Sequence, residues 1–169
     1  MCVFSPSPSV RVGLGDAFTD KPGTYVEGKM VAALKALGAD YVLDVTFSAD
    51  LTIIEEGCEL LQRILTNSGP LPQFTSCCPA WVKFVETYYP DKLPHISSAK
   101  SPIGMQGATI KTYFAAKQGL DPRRIVTVNV TPCTATKAEP RRPELNDAEE
   151  LRVYPAMPDT AYVITTNEL

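Results

Sequence analysis

The sequence predicts an α/β fold, in which a mostly parallel β-sheet is flanked by helices. Two observations lead to this prediction. Short stretches rich in β-branched residues alternate with longer stretches of helical apolar spacing, and several helical stretches end at a glycine. Consecutive strands that are joined by helices pair in parallel and leave the helices on the faces of the sheet. At 169 residues the chain is long enough for one domain with a sizeable core.

The first half of the chain contains two predicted strands and two predicted helices. Residues 9–15 (SVRVGLG) alternate in polarity and predict the first strand, and residues 40–47 (DYVLDVTF) predict the second. Residues 28–38 have helical apolar spacing and end at a glycine. Residues 48–69 predict the longest helix, because a Ser/Asp capping signal opens this stretch and a glycine closes it.

The second half continues the alternation of strands and helices. Residues 71–78 (LPQFTSCC) predict a third strand, and Pro79 begins a helix that ends at Pro90, since proline suits the first helical turn. The remaining predicted elements are a helix from Ser101–Pro102 to Gly119, a strand over residues 123–133, a long loop or insertion over residues 138–159, and a strand over residues 160–169 that leads into a new helix.

Composition and charge argue against a nucleic-acid-binding protein and a membrane protein. The net charge is −3, and the Lys and Arg residues are scattered, so they provide no basic face. No apolar run approaches the ~20 residues of a membrane span. The first ten residues lack the basic start and apolar core of a signal peptide. We therefore expect a cytoplasmic protein.

The five cysteines are Cys2, Cys58, Cys77, Cys78 and Cys133. Their odd number and uneven spacing argue against a disulfide framework. Adjacent cysteines rarely bridge to each other, because the small ring strains the disulfide geometry. Cys77 and Cys78 therefore indicate either two thiols with separate roles or ordinary buried small residues.

Cys77, Cys78 and Cys133 each lie at the C-terminal end of a predicted strand, at the edge where open α/β sheets bind ligands. Cys78 also precedes the helix that begins at Pro79, and the helix dipole there favours the thiolate, which is the form that binds metal. Soft ligands at such an edge favour an iron–sulfur or zinc site. The alternative is a metal-free α/β domain with buried cysteines.

Two long segments resemble the catalytic domain of [FeFe]-hydrogenases, the iron-only hydrogenases. They read TSCCPAWVKFVETYYPDKLPHISSAKSPIGMQG and VTVNVTPCTATKAEPRRPEL, and the resemblance extends over essentially the whole chain. Their residues are most similar to a branch of this family that has Thr, not Met, before the Pro-Cys pair. The resemblance implies that residues 1–169 are the first lobe of a two-lobed catalytic domain. It also implies an enzyme that reversibly reduces protons to H₂.

The resemblance further implies a cofactor, the H-cluster. It consists of a [4Fe-4S] cluster that is linked through a cysteine sulfur to a diiron subcluster with CO, CN and a dithiolate bridge. By this resemblance Cys78 and Cys133 are metal ligands. Cys77 matches the family's free thiol, which exchanges protons with the amine of the bridge.

The onward proton path of the family matches Glu59, Ser97 and Glu56. The two glutamates are three residues apart and share one helix face, along which a proton can pass; the alternative is an ordinary solvated helix face. The resemblance also assigns Ser9, preceded by Pro8, to a position that hydrogen-bonds a cyanide.

One departure from the family lies in the motif after Cys133. The family has a lysine that bonds the distal cyanide where this chain has Thr136, and Lys137 follows. A hydroxyl donates a hydrogen bond but supplies no charge, so the diiron unit should be held less well. We expect Lys137 to point elsewhere. Glu139 matches the glutamate of this motif.

A second departure concerns the number of ligands. The family's third motif, Cys-x-x-x-Cys, is absent from the sequence, and Cys2 and Cys58 do not match it, so we expect these two to be structural or incidental. We therefore expect a second polypeptide or a missing lobe to complete the site, and the isolated chain to be inactive. Ferredoxin or another electron-transfer protein is the expected electron donor. The alternative is a non-catalytic hydrogenase-like iron–sulfur protein in redox sensing or iron–sulfur assembly.

Overall fold

The computed structural model of the protein describes residues 1–18, 21–150 and 158–169, without the side chains of residues 149 and 150. Four strands form one sheet in the order β2-β1-β3-β4, and each neighbouring pair is parallel. The strands are β1 Cys2–Pro6, β2 Tyr41–Val42, β3 Val126–Thr131 and β4 Tyr162–Thr165. The predicted fold class, a parallel sheet flanked by helices, is confirmed.

Helices connect these strands. In the described ranges the α-helices are α1 Val10–Asp16, α2 Glu27–Ala36, α3 Thr46–Thr66, α4 Pro79–Tyr88, α5 Pro102–Thr109, α6 Ala115–Gln118 and α7 Asp147–Glu150. A π-helical segment, Ile110–Phe114, joins α5 to α6, and 3-10 helices span Pro90–His95, Pro122–Arg124 and Thr134–Arg141.

The predicted helices are confirmed within a few residues. Gly38 and Gly119 follow the ends of α2 and α6 with φ of 102° and 65°, the left-handed conformation that favours glycine at a helix end. The longest helix ends earlier than predicted, because Asn67 adopts this conformation with φ of 53°. Residues 138–150 contain helical turns, and residues 151–157 of the predicted loop lie outside the described residues.

The strand predicted at residues 9–15 is wrong, because these residues form α1. Val10 and Leu14 are buried and four residues apart, which fits a helix as well as it fits an alternating pattern. Gly15 lies where a Cβ would be 3.0 Å from the carbonyl oxygen of Thr24, so close packing explains this glycine. The strand instead precedes this stretch as β1, where Val3 is fully buried.

The strand predicted at residues 71–78 is also wrong. Within this described segment Phe74 forms an isolated parallel bridge with Ile96, and no strand is present. Prolines on either side of Leu71 remove hydrogen-bond donors that a strand ladder needs. Cys77 and Cys78 therefore follow a loop and not a strand.

The other strand predictions are confirmed in part. The strand at residues 40–47 is reduced to β2, because α3 already begins at Thr46. The predicted strands at residues 123–133 and 160–169 contain β3 and β4. After β4, Thr165 begins a turn in which the Leu169 N–H donates to the Thr165 carbonyl, so a helical turn follows the strand as predicted.

The core lies on both faces of the sheet. One buried cluster contains Val10, Leu14, Val26, Met30, Leu34, Ala39 and Val130, and the other contains Val3, Ile110, Ala115 and Ile125. Phe4 packs against the first cluster while its neighbour Val3 belongs to the second, because successive residues of a strand point to opposite faces. Among the described residues no helix is long and apolar enough to cross a bilayer.

Helix α3 also exposes many large apolar side chains. We call these residues the outer face of α3: Phe47, Ile53, Ile54, Leu60, Leu61, Ile64 and Leu65, all exposed. An apolar surface of this extent is typical of a site that contacts another polypeptide.

Candidate functional site

A cavity of about 290 Å³ lies at the carboxyl edge of the sheet. We call it the site cavity. It is lined by Ser7 and Pro8 after β1, Val45 and Ala49 at the start of α3, Cys77, Cys78 and Pro79 at the start of α4, Ser101, Pro102 and Ile103 at the start of α5, and Thr131, Cys133, Thr136 and Glu139 after β3. The structure therefore brings together three of the five cysteines in one place.

The register of the sheet positions two of these walls. The Ser7 N–H donates to the Val130 carbonyl at 2.8 Å, which extends the pairing of β1 with β3 and sets Ser7 and Pro8 beside the segment that leads to Cys133. The Val45 N–H donates to the Pro6 carbonyl at 3.3 Å and so brings the start of α3 to the same edge. The position fits the rule that open parallel sheets bind ligands beyond their carboxyl ends.

Cys78 and Cys133 occupy equivalent positions, because each caps the N-terminus of a helix. Cys78 precedes α4 with φ of −101° and ψ of 110°, and Cys133 precedes the 3-10 helix Thr134–Arg141 with φ of −94° and ψ of 116°. The extended backbone before each helix is typical of a cap residue. Cys78 therefore stands at a helix N-terminus as predicted, although a loop and not a strand precedes it.

Cys77 lies beside a negative charge. Burial raises the pKa of the Cys77 thiol, and the Glu56 carboxylate and Cys78 raise it further. These effects favour a protonated thiol at this position.

Glu59 is held by four groups. Its Oε2 accepts hydrogen bonds from the Ser97 hydroxyl at 2.6 Å and from the Ser98 N–H at 2.9 Å, and its Oε1 pairs with the Arg63 guanidinium at 2.6 Å. The Ser98 hydroxyl is a fourth contact, at 3.3 Å. Burial alone would raise the pKa of Glu59, but these hydrogen bonds outweigh it and lower the pKa. The predicted contact between Glu59 and Ser97 is therefore direct.

Glu56 lies one helical turn earlier on the same side of α3. Its Oε1 accepts from the Ser76 N–H at 3.0 Å, and the Ser76 hydroxyl lies 3.3 Å from the same atom and 2.5 Å from the Ala99 carbonyl oxygen. Ser76 thus links Glu56 to the segment that follows Ser97. No sequence motif singles out Ser76, because its contact with Glu56 arises only when its loop packs against α3.

Arg63 is a second residue that sequence analysis missed. Its guanidinium is only 8% exposed and donates to the carbonyl oxygens of Pro70, Pro94 and Ile96 at 3.0 to 3.1 Å, in addition to Glu59. It therefore joins α3 to the two loops on either side of α4. The spacing of four residues between Glu59 and Arg63 was a usable signal for this pair.

Glu139 is the most deeply buried carboxylate of the site cavity wall. It lies in the 3-10 helix after Cys133, and its Oε1 accepts a hydrogen bond from the Ser101 hydroxyl. Ser101 is also the N-cap of α5, where its oxygen accepts from the Gly104 N–H at 3.2 Å. Burial raises the pKa of Glu139, while Ser101, Lys100 and Arg142 oppose this change.

Lys137 points away from this wall, as expected. Its Nζ pairs with Glu168 Oε1 at 2.5 Å, and this pair with two further hydrogen bonds from Thr165 lowers the pKa of Glu168 to about 2. Thr136 is buried and lines the site cavity. The only lysine of this motif is therefore used outside the cavity.

The remaining predicted positions are placed as follows. Pro8 lines the site cavity, whereas Ser9 is exposed, caps α1 and is outside the cavity lining. Cys58 is exposed on α3 and lines a separate, larger cavity of about 510 Å³. Cys2 is part of β1 and not a frayed terminus, because its N–H bonds Asp40 Oδ2 and it pairs with Val126.

The donor set fits part of an iron–sulfur cluster. A [4Fe-4S] cluster takes four cysteine thiolates, and the site cavity presents Cys78 and Cys133 at equivalent cap positions, with Cys77 in the same lining. In the described part of the chain no group of three or more His, Cys, Asp or Glu residues is arranged to hold a metal ion. The residues present thus match half of the ligand set and require further ligands.

Comparison with known proteins gives a match over the full length. A family model described as iron only hydrogenase large subunit, C-terminal domain, matches residues 1–169.

Curated relatives include hydrogenases and iron–sulfur assembly components. The periplasmic [Fe] hydrogenase large subunit of Nitratidesulfovibrio vulgaris is 49% identical over 99% of this chain and 38% of that protein, and iron hydrogenase 1 of Clostridium pasteurianum is 47% identical over 99% of this chain and 28% of that protein. The cytosolic iron-sulfur assembly component 3 of Bos taurus is 35% identical over 100% of this chain and 35% of that protein. This chain therefore spans less than two fifths of the length of these relatives.

Solved structures agree with the sequence comparison. The structure of an [FeFe]-hydrogenase from Chlamydomonas reinhardtii superimposes with a TM-score of 0.90 at 38% identity, and the match covers 99% of this chain and 40% of that one. The four-stranded parallel sheet and its helices are thus those of the [FeFe]-hydrogenase fold.

Proposed function

This chain belongs to the iron-only hydrogenase large-subunit family, and we propose that residues 1–169 form the first lobe of a catalytic domain for the reaction 2H⁺ + 2e⁻ ⇌ H₂. The observation that carries this proposal is the meeting of Cys77, Cys78 and Cys133 at one cavity at the carboxyl edge of the sheet. Soft thiol ligands at the ligand-binding edge of a parallel sheet suit an iron–sulfur site.

The proposed metal ligands are Cys78 and Cys133. Their matching cap positions orient both residues at the N-termini of helices, where the dipole favours the thiolate form. A [4Fe-4S] cluster joined to a diiron subcluster with CO, CN and a dithiolate bridge would supply the redox chemistry when bound. The chain's own residues would bind and orient that group and handle protons.

Proton handling is the proposed role of Cys77, Glu56, Ser97 and Glu59. Cys77 Sγ would hold the proton nearest the cofactor, and the charge of Glu56 beside it favours the protonated thiol. Ser97 donates directly to Glu59 Oε2 at 2.6 Å, so these two groups form a ready hydrogen-bonded step. The Ser76 hydroxyl, between Glu56 and Ala99, supports a connection from Glu56 to that step.

The proposed contacts to the diiron unit come from Pro8, Ser9, Thr136 and Glu139. Pro8, Thr136 and Glu139 line the site cavity, which supports their assignment. Ser9 stands next to Pro8 at the start of α1. Thr136 offers a hydroxyl donor without a charge, and Lys137 is occupied by Glu168.

The outer face of α3 supports the proposal that a second lobe or polypeptide completes the site. A single lobe that exposes so many large apolar side chains on its longest helix lacks the contact that such a face normally makes. The same second body would provide the cluster ligands that this chain lacks.

The proposed electron donor is ferredoxin or another electron-transfer protein, since proton reduction to H₂ consumes two electrons. We propose the cytoplasm as the compartment. All five cysteines are free thiols, which suits a reducing compartment. Cytosolic assembly components are among the relatives, although one hydrogenase relative is named as periplasmic.

Iron binding tests this proposal directly. The chain would be produced anaerobically together with the hydrogenase maturation proteins and with the remaining part of the domain taken from the 49% identical relative. We expect iron to bind and H₂ to form from a reduced viologen dye. The chain without its complement should form no H₂.

The cysteine variants provide the controls. C78S and C133S should lose the iron, whereas C58S, which alters an exposed thiol outside the site cavity, should retain it. Equal iron in C78S and wild type, or full H₂ formation by the chain alone, would contradict the proposal.

A non-catalytic iron–sulfur protein is the second candidate. It is favoured by Thr136, which removes a charge from the cavity wall, and by the relatives named as cytosolic iron–sulfur assembly components. In that case the complemented chain would bind iron through Cys78 and Cys133 but form no H₂, and C77S would leave the iron content unchanged.

A further inference from the structure

Glu139 has an unusual environment for a carboxylate. The residue is only 6% exposed and lines the site cavity. Its Oε2 is buried and has no hydrogen-bond partner among the described residues. A buried carboxylate oxygen without a partner is costly when it carries a charge and much less costly when it carries a proton.

The hydrogen bonds around Ser101 fix where such a proton would be. The Gly104 N–H donates to the Ser101 oxygen, so the hydroxyl proton of Ser101 is free to be donated to Glu139 Oε1. Because Oε1 is an acceptor in this bond, a proton on the carboxyl group belongs on Oε2.

The neighbouring cations are already neutralised by other carboxylates. Lys100 Nζ lies 2.5 Å from Asp159 and 2.9 Å from Asp147. Arg142 pairs with Glu86 at 2.5 Å and with Glu144 at 2.6 Å. These pairs leave Glu139 without an ion pair of its own. The other ionisable groups on the wall of the site cavity are the thiols of Cys77, Cys78 and Cys133, which offer no positive charge.

Thr136 lies on the same side of its helix as Glu139. The two residues are three apart in a 3-10 helix, where side chains at this spacing lie one above the other. Thr136 is 4% exposed and uncharged, so it cannot stabilise an ionised Glu139 as a lysine at this position would.

We propose that Glu139 is held as a neutral carboxylic acid at neutral pH and that, with Thr136, it gives the site cavity two uncharged hydrogen-bond donors in place of an ammonium group. The identity of the occupant of the site cavity rests on the proposed function. It would be a ligand with a hydrogen-bond acceptor atom, such as a cyanide nitrogen. The proton on Glu139 is a property of the chain alone. Among the described carboxyl groups with a clearly shifted pKa, Glu139 alone is shifted upward, and burial is the main cause.

Infrared spectroscopy of the metal-free chain tests this inference. We expect the C=O stretching band of a protonated carboxyl group to be present at pH 7 and to disappear only when the pH is raised further. E139Q should remove the band, and S101A should shift its frequency, because the hydrogen bond to Oε1 is lost. D121N is the control and should leave the band unchanged, because the pKa of Asp121 is lowered and its ion-pair partner is Arg123, in the separate 3-10 helix Pro122–Arg124.

A lysine at position 136 tests the geometry. T136K should lower the titration midpoint of Glu139 by about one unit or more, because an ammonium group one 3-10 turn away favours the carboxylate. T134K places the same charge at an exposed position on another side of the helix and should change the midpoint much less.

Three results would overturn the inference. They are the absence of a protonated carboxyl band at pH 7, a band that E139Q leaves in place, and equal effects of T136K and T134K. If E139Q or T136K fails to fold, the wild-type titration and the S101A frequency shift still decide. These measurements need no iron. They can therefore contradict a neutral Glu139 even if C78S and C133S lose iron as proposed, and they can support a neutral Glu139 even if C78S and C133S retain iron.

Discussion

Glu59 lies on α3 and contacts Arg63, Ser97 and Ser98, and we call this group the α3 region. Glu139 lies in the 3-10 helix after Cys133 and contacts Ser101, and we call this group the Cys133 region. Both carboxyl groups are shielded from water, but they have different hydrogen-bond partners. Glu59 receives hydrogen bonds from Ser97 and Ser98 and pairs with Arg63, and its pKa is lowered. Glu139 receives one hydrogen bond, has an unpartnered oxygen, and has a raised pKa. The contrast shows that the number of donors around a carboxyl group, and not its burial alone, sets the direction in which its pKa moves.

The comparison gives each region a separate task. An ionised Glu59 can receive a proton through the hydrogen bond from Ser97, and its lowered pKa makes it a weak base that returns the proton readily. A neutral Glu139 is suited to donate a hydrogen bond to an occupant of the site cavity. Variants that exchange these properties test the division.

The largest effect is expected for Arg63→Met. This change removes the guanidinium that donates to three carbonyl oxygens and pairs with Glu59. The free energy of unfolding should therefore fall by roughly 3–5 kcal/mol. Urea unfolding followed by circular dichroism measures it. Lys83→Met is the control, because Lys83 is exposed and its contact with Glu86 is long, at 3.8 Å. It should change the free energy of unfolding by less than about 1 kcal/mol. Equal effects would show that Arg63 does not organise the α3 region.

The next effect compares Glu59→Gln with Glu139→Gln. At pH 7 Glu59→Gln should lower the free energy of unfolding by about 1–3 kcal/mol, because it removes the negative charge that pairs with the buried Arg63 guanidinium. Glu139→Gln should lower it by less than about 1 kcal/mol, because glutamine resembles a neutral carboxylic acid. Unfolding in denaturant at pH 7 measures both. A larger loss for Glu139→Gln would contradict a neutral Glu139.

The same two variants should differ in pH dependence with opposite sign. The folded-state pKa of Glu59 is below its ordinary value of 4.5, so its contribution is present above that value and lost as pH falls through the folded pKa. The folded-state pKa of Glu139 is above 4.5, so its contribution is complete below that value and lost as pH rises through the folded pKa. Stability curves of wild type and variants from pH 3 to pH 8 would reveal this; parallel curves would refute it.

A smaller effect is expected for Ser101→Ala. This change removes the cap of α5 and the donor to Glu139, and should reduce the free energy of unfolding by about 0.5–2 kcal/mol. Ser97→Ala should cost less, because Glu59 retains Arg63 and Ser98. Chemical unfolding compares them, and the opposite ranking would show that Ser101 adds little to the Cys133 region.

The smallest effect is expected for Lys137→Ala. Its partner Glu168 is exposed to solvent, and exposed ion pairs contribute little. The midpoint of thermal unfolding should hardly move at pH 7, and iron binding by the complemented chain should be unchanged. A loss of iron in this variant would place Lys137 in the site cavity after all.

The parts of the fold that sequence predicted are those with local signals. Gly38, Gly119, Pro79 and the Ser101–Pro102 pair mark helix ends in the chain itself, and the helices they mark are present. The strand at residues 71–78 failed because a strand needs a partner, and sequence alone does not say which segment is free to pair.

The site residues also fall into those that the sequence predicted and those that it did not. The placement of Cys78 before a helix followed from Pro79, and the contact of Ser97 with Glu59 was anticipated through resemblance. Ser76 and Ser101 were not anticipated as site residues, because their roles arise from segments that meet only in the folded chain.

The long separation of Cys78 from Cys133 in the chain has a consequence for biogenesis. The two thiols share a cavity only when the start of α4 lies beside the segment after β3, two parts of the chain that are far apart in sequence. Contacts of this kind form late because a long loop must close first. A metal that needs both sulfurs at once would therefore bind after this part of the chain has folded. Cys78 is exposed and Cys133 is partly exposed in the folded chain, so both sulfurs stay accessible to oxidants until another body covers them.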